Sequence, residues 1–247
     1  MNHSTNIADQ SKSVTPVAFF ALIDNRLVCE LKAREITKMG SSDNNVKLLG
    51  IDHLHFYTQY VAGENVIVAM MDVDTTLDLE DPADIWEKLI QDVSLRSSFE
   101  SLHNALRPHP RYSAASKSPW VKAETICEIR PHLTTCSSNA TWNTAVTELR
   151  SDKEAEYRLL HNNVWPGVVE VIGNSNISRF DIFLIEFGEN QPYLFYRFQY
   201  VGIDFERDME VQSLSPINQR WWKYTDACQR ALPSSDSDRP WLEMKEI

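Results

Sequence analysis

The chain has 247 residues, 43% of them hydrophobic, with 7 glycines and 11 prolines, enough to bury a core in one large domain or two small ones and unlike a disordered or collagen-like polymer. Its 24 lysines and arginines stand against 35 aspartates and glutamates, a formal charge of −11, which argues against a surface that tracks nucleic-acid phosphates. The longest early apolar run, VAFFALI at 17–23, falls far short of the about 20 residues that a membrane-spanning helix needs.

Residues 1–16 read as a disordered polar tail, with one lysine and no small-residue cleavage pattern of a secretory signal. A strand follows at 17–23, then a helix, RLVCELKAREITKM, from Arg26 to Met39. After the turn cluster GSSDNN, the runs LLGIDHLHFYTQYV and NVIVAMMDVD read as two strands joined at AGEN, where Gly63 and Asn65 suit a hairpin turn. One long helix is expected over PADIWEKLIQDVSLRSSFESLHNAL, with Asp81 as its cap and Pro82 in its first turn, and then a strand at WVKAETICEI.

From about residue 141 the same order begins again. TWNTAVTEL is a strand, Ser151 caps a helix over DKEAEYRLLHNNVWPGVVEVIG, and SRFDIFLIEF and YLFYRFQYV form a hairpin around GENQ. A helical region from DFERDMEV to CQRAL and a last strand, PWLEMKEI, complete the second half. The letters repeat as well: SPWVKAETICEI at 118–129 closes the first half much as RPWLEMKEI at 239–247 closes the second.

The order strand, helix, strand, strand, helix, strand defines a ferredoxin-like βαββαβ unit, an α+β arrangement with both helices on one face of an antiparallel sheet. The bare face of such a sheet needs cover, and a tandem copy supplies it. The expectation is therefore two ferredoxin-like units forming an intramolecular pseudo-dimeric α/β barrel: a degenerate unit at 17–129, a linker at 130–140 rich in Ser and Thr, and a site-bearing unit at 141–247.

Four cysteines, Cys29, Cys127, Cys136 and Cys228, lie apart with no CxxC pair, which fits neither a zinc site nor a dense disulfide framework. Reduced thiols in a cytoplasmic protein are the expected state. The sequons at Asn2, Asn139 and Asn176 matter only in a secreted chain.

Tyr157, His161 and Trp165 fall at i, i+4 and i+8, one ridge of the second unit's first helix, and could line one cleft. A phenol, an imidazole and an indole could stack a sugar ring and exchange its protons near neutral pH, although an amphipathic helix with a half-buried histidine has the same spacing. In QRWWKY, Trp221 and Trp222 point about 100° apart, so one can pack in the core while the other edges a pocket. His53 and His55 share a strand face as a metal pair would, but no third ligand accompanies them, and strand-face packing explains them as well.

Together EYRLLHNNVWPGV, FDIFL, QRWWKY and PWLEM resemble the sugar mutarotases that act on L-rhamnose and, in a related branch, L-fucose; the resemblance covers residues 141–247. It implies exchange between the α and β anomers of a 6-deoxy-L-sugar. His161 takes the proton-donor position, Tyr157 a sugar-contact position, and Trp221 with Trp222 the aromatic sugar-contact pair. Phe180 stands where the rhamnose enzymes usually carry tyrosine, and Gln199 near a position that is often acidic, which leaves the proton acceptor open. The first unit lacks the pattern: Arg34 or Glu35 matches His161, and RSSFES matches QRWW.

Anomer exchange opens the ring by protonating the ring oxygen and deprotonating the anomeric hydroxyl, then recloses it on the other face. It needs no redox partner, and the sequence carries neither a GxGxxG turn nor a His/Cys/carboxylate metal pattern, so no cofactor is expected. An imidazole with a pKa of about 6.5 would hold either protonation state. The competing readings are a sugar-binding or sensory module without catalysis, and a heme or polyketide-type oxygenase or cyclase on the same architecture. The expected partner is a small monosaccharide, with no nucleic acid and no membrane; the chain is expected to be a monomer with an internal pseudo-dimer, and further homodimerisation stays open.

Overall fold

The computed structural model describes residues 14–42, 50–76, 82–91, 95–109, 118–133, 140–188, 190–233 and 240–247. The expectations for residues 1–13, the GSSDNN cluster beyond Ser42, the Asp81 cap, Cys136, Asn139 and most of the linker lie outside them.

The first half contains β1 (Val14–Ile23), α1 (Arg26–Ser42), β2 (Ile51–Val61), β3 (Glu64–Asp74), α2 (Pro82–Gln91), α3 (Arg96–Asn104), β4 (Leu106–Arg107), β5 (Val121–Lys122) and β6 (Glu124–Ile129). The second contains β7 (Thr141–Leu149), α4 (Glu154–Asn162), α5 (Pro166–Asn174), β8 (Ile177–Phe187), β9 (Gln191–Tyr200), α6 (Phe205–Leu214), α7 (Pro216–Thr225), β10 (Gln229–Arg230), β11 (Leu242–Glu243) and β12 (Lys245–Glu246). The first strand thus begins at Val14, three residues into the stretch expected as tail. Ala62 and Gly63 both carry positive φ, as a two-residue hairpin turn between β2 and β3 demands; Asn65 already belongs to the strand.

Each expected long helix is broken in two. Pro166 has no N–H to donate and holds Trp165 in an extended conformation (ψ 133°), so α4 stops at Asn162 and α5 starts afresh. Pro216 does the same between α6 and α7. In the first half the expected helix is described as two pieces, α2 burying Ile85, Trp86 and Leu89 and α3 burying Phe99 and Leu102, with residues 92–94 between them outside the described residues. Ser151 opens a short 3-10 turn before α4 and makes no side-chain cap; Asp204 does cap α6, accepting from the Arg207 amide. The stretch after Cys228, read as helix, is the strand β10.

The strands build two antiparallel sheets of mirrored order, β12-β2-β3-β1-β4 with β5 also on β1, and β6-β8-β9-β7-β10 with β11 also on β7. The closing segments that look alike in sequence behave alike. In each, the first short strand stays on its own sheet and the second crosses to the other, so β6 pairs with β8 and β12 with β2. This α+β architecture of two ferredoxin-like sheets matches the expected pseudo-dimer, and the crossing strands exchange edges between the halves.

Strand alternation gives each sheet two apolar faces. The inner faces meet in a core of Phe20, Val68, Met70, Val146, Phe183, Phe187 and Phe195, with Phe20 stacked on Phe187 at 4.9 Å. The outer face of the first sheet packs against α1, α2 and α3, and its centre is solid: Trp86 stacks on Trp120 at 4.6 Å, with Phe99 and Phe56 beside them. The outer face of the second sheet carries α4 to α7, and there the packing leaves a cavity.

Candidate active site

The cavity has a volume of about 820 Å³; it lies between the outer face of β8 and β9 and helices α4 to α7 and extends to Tyr57 on β2, Trp142 on β7 and the closing strands β11 and β12. His161, Tyr157, Phe180, Trp221 and Trp222 all line it, so five of the six residues singled out in the sequence converge on one place. Trp165, the sixth, is not among the described lining residues. The break at Pro166 takes it off the expected helix ridge, and it instead braces Trp221 edge-on at 5.2 Å, with the Arg220 guanidinium over its ring at 5.4 Å from the centroid.

His161 and Tyr157 are one turn apart on α4 and both buried. Their rings stack at 4.0 Å, and Trp221 meets the imidazole edge-on at 5.5 Å. The Nδ1 atom lies 2.9 Å from the Tyr157 carbonyl oxygen. That oxygen can only accept, so Nδ1 carries the proton and Nε2 of the neutral ring is the lone-pair acceptor. Burial lowers the His161 pKa to about 4, against the opposing pull of the Tyr157 carbonyl. This corrects the expectation of an imidazole poised at 6.5: at neutral pH His161 is uncharged.

Burial, with the neighbouring Cys127 thiol adding to it, raises the Tyr157 phenol well above its ordinary value, and the Gln229 amide opposes the shift from 3.5 Å. Tyr157 is therefore a neutral hydroxyl. The Phe180 ring packs on Tyr196 at 5.3 Å and parallel to Phe198 at 6.0 Å, making that wall apolar. Gln199, the position considered for an acidic group, lies one residue off the alternation of Tyr196, Phe198 and Tyr200, and its side-chain Oε1 accepts from the Ser178 hydroxyl at 2.7 Å. It does not line the cavity among the described residues.

Several lining residues escaped the sequence reading. Gln229 sat in what looked like a helix tail, and Asn218 in the turn leading to the tryptophan pair. Trp241 carried a signal in the repeated Pro-Trp of the two closing segments, while Tyr196 and Phe198 could have been found from strand alternation. The lining carries the carboxylates of Glu206, Glu210, Asp226, Glu243 and Glu246 and, among the described residues, no lysine or arginine.

Behind the cavity wall, His53 lies at a β-bulge with φ 51°, both His53 and His55 lean on the lining residue Trp142, and His55 Nδ1 lies 2.7 Å from the lining carboxylate of Glu246. Among the described residues no group of three or more His, Cys, Asp or Glu side chains is placed to hold a metal ion. Cys29, Cys127 and Cys228 are buried free thiols. No described helix is long and apolar enough to cross a membrane.

Comparison with known proteins locates the same region. A family model described as L-rhamnose mutarotase matches residues 143–247. The L-rhamnose mutarotase of Pectobacterium carotovorum subsp. carotovorum (strain PC1) is 32% identical over 95 residues, which are 38% of this chain and 83% of that protein. The L-rhamnose mutarotase of Enterococcus faecalis (strain ATCC 700802 / V583) is 29% identical over 96 residues, 39% of this chain and 85% of that protein. In structure, a candidate monooxygenase of Lactobacillus acidophilus NCFM superposes with a TM-score of 0.51 at 9% identity, covering 94% of each chain. At that identity the likeness concerns the fold alone, and it extends over both halves.

Proposed function

Because the chain belongs, through its C-terminal half, to the L-rhamnose mutarotase family, we propose that it is a cofactor-independent mutarotase interconverting the α and β anomers of a 6-deoxy-L-sugar, L-rhamnose or L-fucose. The observation that carries this reading is His161. It is a buried, neutral imidazole locked through Nδ1 to the Tyr157 carbonyl, in a cavity walled by Trp221 and Trp222.

With Nε2 unprotonated, His161 begins as the base. Nε2 takes the proton of the anomeric hydroxyl, the C1–O1 bond becomes a carbonyl, and the C1–O5 bond breaks as the ring oxygen receives a proton. The imidazolium just formed is strongly acidic in this setting and returns its proton to that oxygen. Rotation of the open aldehyde about C1–C2 and the reverse steps close the ring on its other face. Tyr157, held neutral, donates a hydrogen bond to a sugar oxygen and keeps the imidazole in plane. The tryptophans supply a platform for the C–H face of the sugar. Anomers exchange spontaneously at a measurable rate, so a few kcal/mol of barrier lowering suffices. The first unit then serves as a degenerate copy that covers the second sheet, its own centre filled by Trp86 and Trp120.

NMR saturation transfer between the α and β anomer signals of L-rhamnose and of L-fucose tests the proposal. Faster exchange with catalytic amounts of protein supports it and names the preferred sugar; saturable binding with exchange at the spontaneous rate identifies a sugar-binding module instead.

A further inference from the structure

Two amide side chains in the cavity wall have no part in the proton transfers above. Gln229 is 8% exposed and Asn218 2%. The Gln229 amide nitrogen points to the Tyr157 hydroxyl oxygen at 3.5 Å, and that of Asn218 donates to the Gln212 carbonyl at 3.3 Å. In both residues the carbonyl oxygen is buried with no hydrogen-bond partner. A buried acceptor left unfilled is costly, and such groups in native proteins are normally paired by protein, water or ligand.

The internal repeat supplies an independent comparison. Gln229 opens β10 and pairs with Leu149 on β7; Leu106 opens β4 and pairs with Ile23 on β1 in the same way. The spacing from Leu95 to Leu106 equals that from Asn218 to Gln229, so Leu95 matches Asn218 in sequence, although Leu95 precedes α3 and Asn218 lies in the first turn of α7. Both leucines are buried in the solid core of the first unit. At the shared strand position the unit with the packed centre carries Leu106 and the unit with the cavity carries Gln229, and one sequence spacing earlier stand Leu95 and Asn218.

We propose that Gln229 and Asn218 determine specificity in the second unit, their amide oxygens accepting hydrogen bonds from two hydroxyl groups of an uncharged sugar. The assignment rests on the mutarotase reading and deepens it. Carbonyl oxygens repel anions, the described lining offers carboxylates and no lysine or arginine, and His161 is neutral at pH 7. Sugar phosphates and sugar acids are therefore poor ligands, and free neutral sugars are the fitting class. By donating to the Tyr157 oxygen, Gln229 also leaves the phenolic hydrogen free to point at the sugar, which makes it a positioning residue as well.

The test uses Gln229→Leu and Asn218→Leu, which install the first unit's own side chains, with Gln229→Met as a second variant should leucine prevent folding. Anomer exchange is measured by NMR on L-rhamnose, L-fucose and their 2-, 3- and 4-deoxy forms. Each variant is expected to lower kcat/KM for the parent sugar about tenfold. For one deoxy form, different for the two positions, the loss should shrink because the hydroxyl that the amide reads is already gone: Asn218→Leu should there match wild type, and Gln229→Leu should keep only the uniform part that acts through Tyr157. An equal loss on every sugar, or none, overturns the proposal.

If the wild type accelerates no sugar, the mutarotase reading fails, and titration of tryptophan fluorescence with the same sugars decides the present one. Hydroxyl-selective binding that disappears in Gln229→Leu supports it. Absent binding, unaltered selectivity, or equal binding of a 6-deoxyhexose 1-phosphate refutes it.

Discussion

Removing the Asp72 carboxylate tests how the two halves are held together behind the site. Asp72 lies on β3 of the first half, with its side chain 1% exposed, and both oxygens face arginines of the second half. Arg179 approaches it in a two-pronged ion pair and Arg197 binds one of the same oxygens. Arg197 in turn holds Asp181 at 2.9 Å and lies over the Trp142 ring at 4.8 Å. It sits on β9 between Tyr196 and Phe198, whose rings face the cavity on the other side of the strand. Breaking a buried ion pair by removing one partner costs about 3–5 kcal/mol, because the remaining charge is left in a poorly polarisable interior. Arg197 keeps Asp181, and Arg179 is 15% exposed and can reach water, so the lower end applies. Asp72→Ala is expected to destabilise the chain by about 3 kcal/mol, read as a fall in Tm of roughly 6–12 °C for a chain of this size. Urea and thermal unfolding followed by circular dichroism and tryptophan fluorescence measure it. A cost below about 1 kcal/mol for Asp72→Ala would show that the network is solvated and would refute the reasoning.

Tyr157→Phe keeps the ring stacked on His161 but removes the hydroxyl, and anomer-exchange NMR should show a rate about 10–100-fold lower with little change in melting temperature. The pKa values of His161 and His103 are each lowered to about 4 by burial, so between that value and the unfolded value of about 6.5 the unfolded chain binds more protons. Stability is expected to be flat above pH 6.5 and to fall as the pH drops toward 4, by at most about 1.4 kcal/mol per pH unit for each histidine; urea midpoints across that range check it, and His103→Phe should flatten the slope. Phe180→Tyr adds a hydroxyl to the apolar wall and is expected to shift the ratio of kcat/KM for L-rhamnose over L-fucose at least severalfold, measured by parallel exchange assays.

Much of this architecture was legible because local rules and tertiary structure agree. The hairpin of β8 and β9 reads directly from alternating apolar residues, and the shared Pro-Trp segments mark the two like halves in the sequence. The helix breaks were written at Pro166 and Pro216, but apolar periodicity carried through both prolines and masked them. The edge exchange could not be read from spacing. Ala123 and Met244 look like ordinary strand residues, and only the presence of the other sheet makes the chain leave its own at those points. Four side chains of the site emerged from helix spacing and the tryptophan pair, and Phe180 through the resemblance. The protonation state of His161 did not, because it depends on burial by Trp221 and on a carbonyl one turn away. Gln229 was hidden for a similar reason: its role depends on a cavity, and the equivalent residue of the other unit is leucine.

The most direct measurement is anomer exchange at pH 7 for wild type and His161→Ala in matched samples of L-rhamnose and L-fucose, with folding of both proteins checked by circular dichroism. Wild type should exceed the spontaneous rate for at least one sugar, and His161→Ala should lose about 10²–10⁴-fold of that acceleration. A His161→Ala protein that exchanges anomers as fast as wild type, or a folded wild type with no acceleration, would contradict the account.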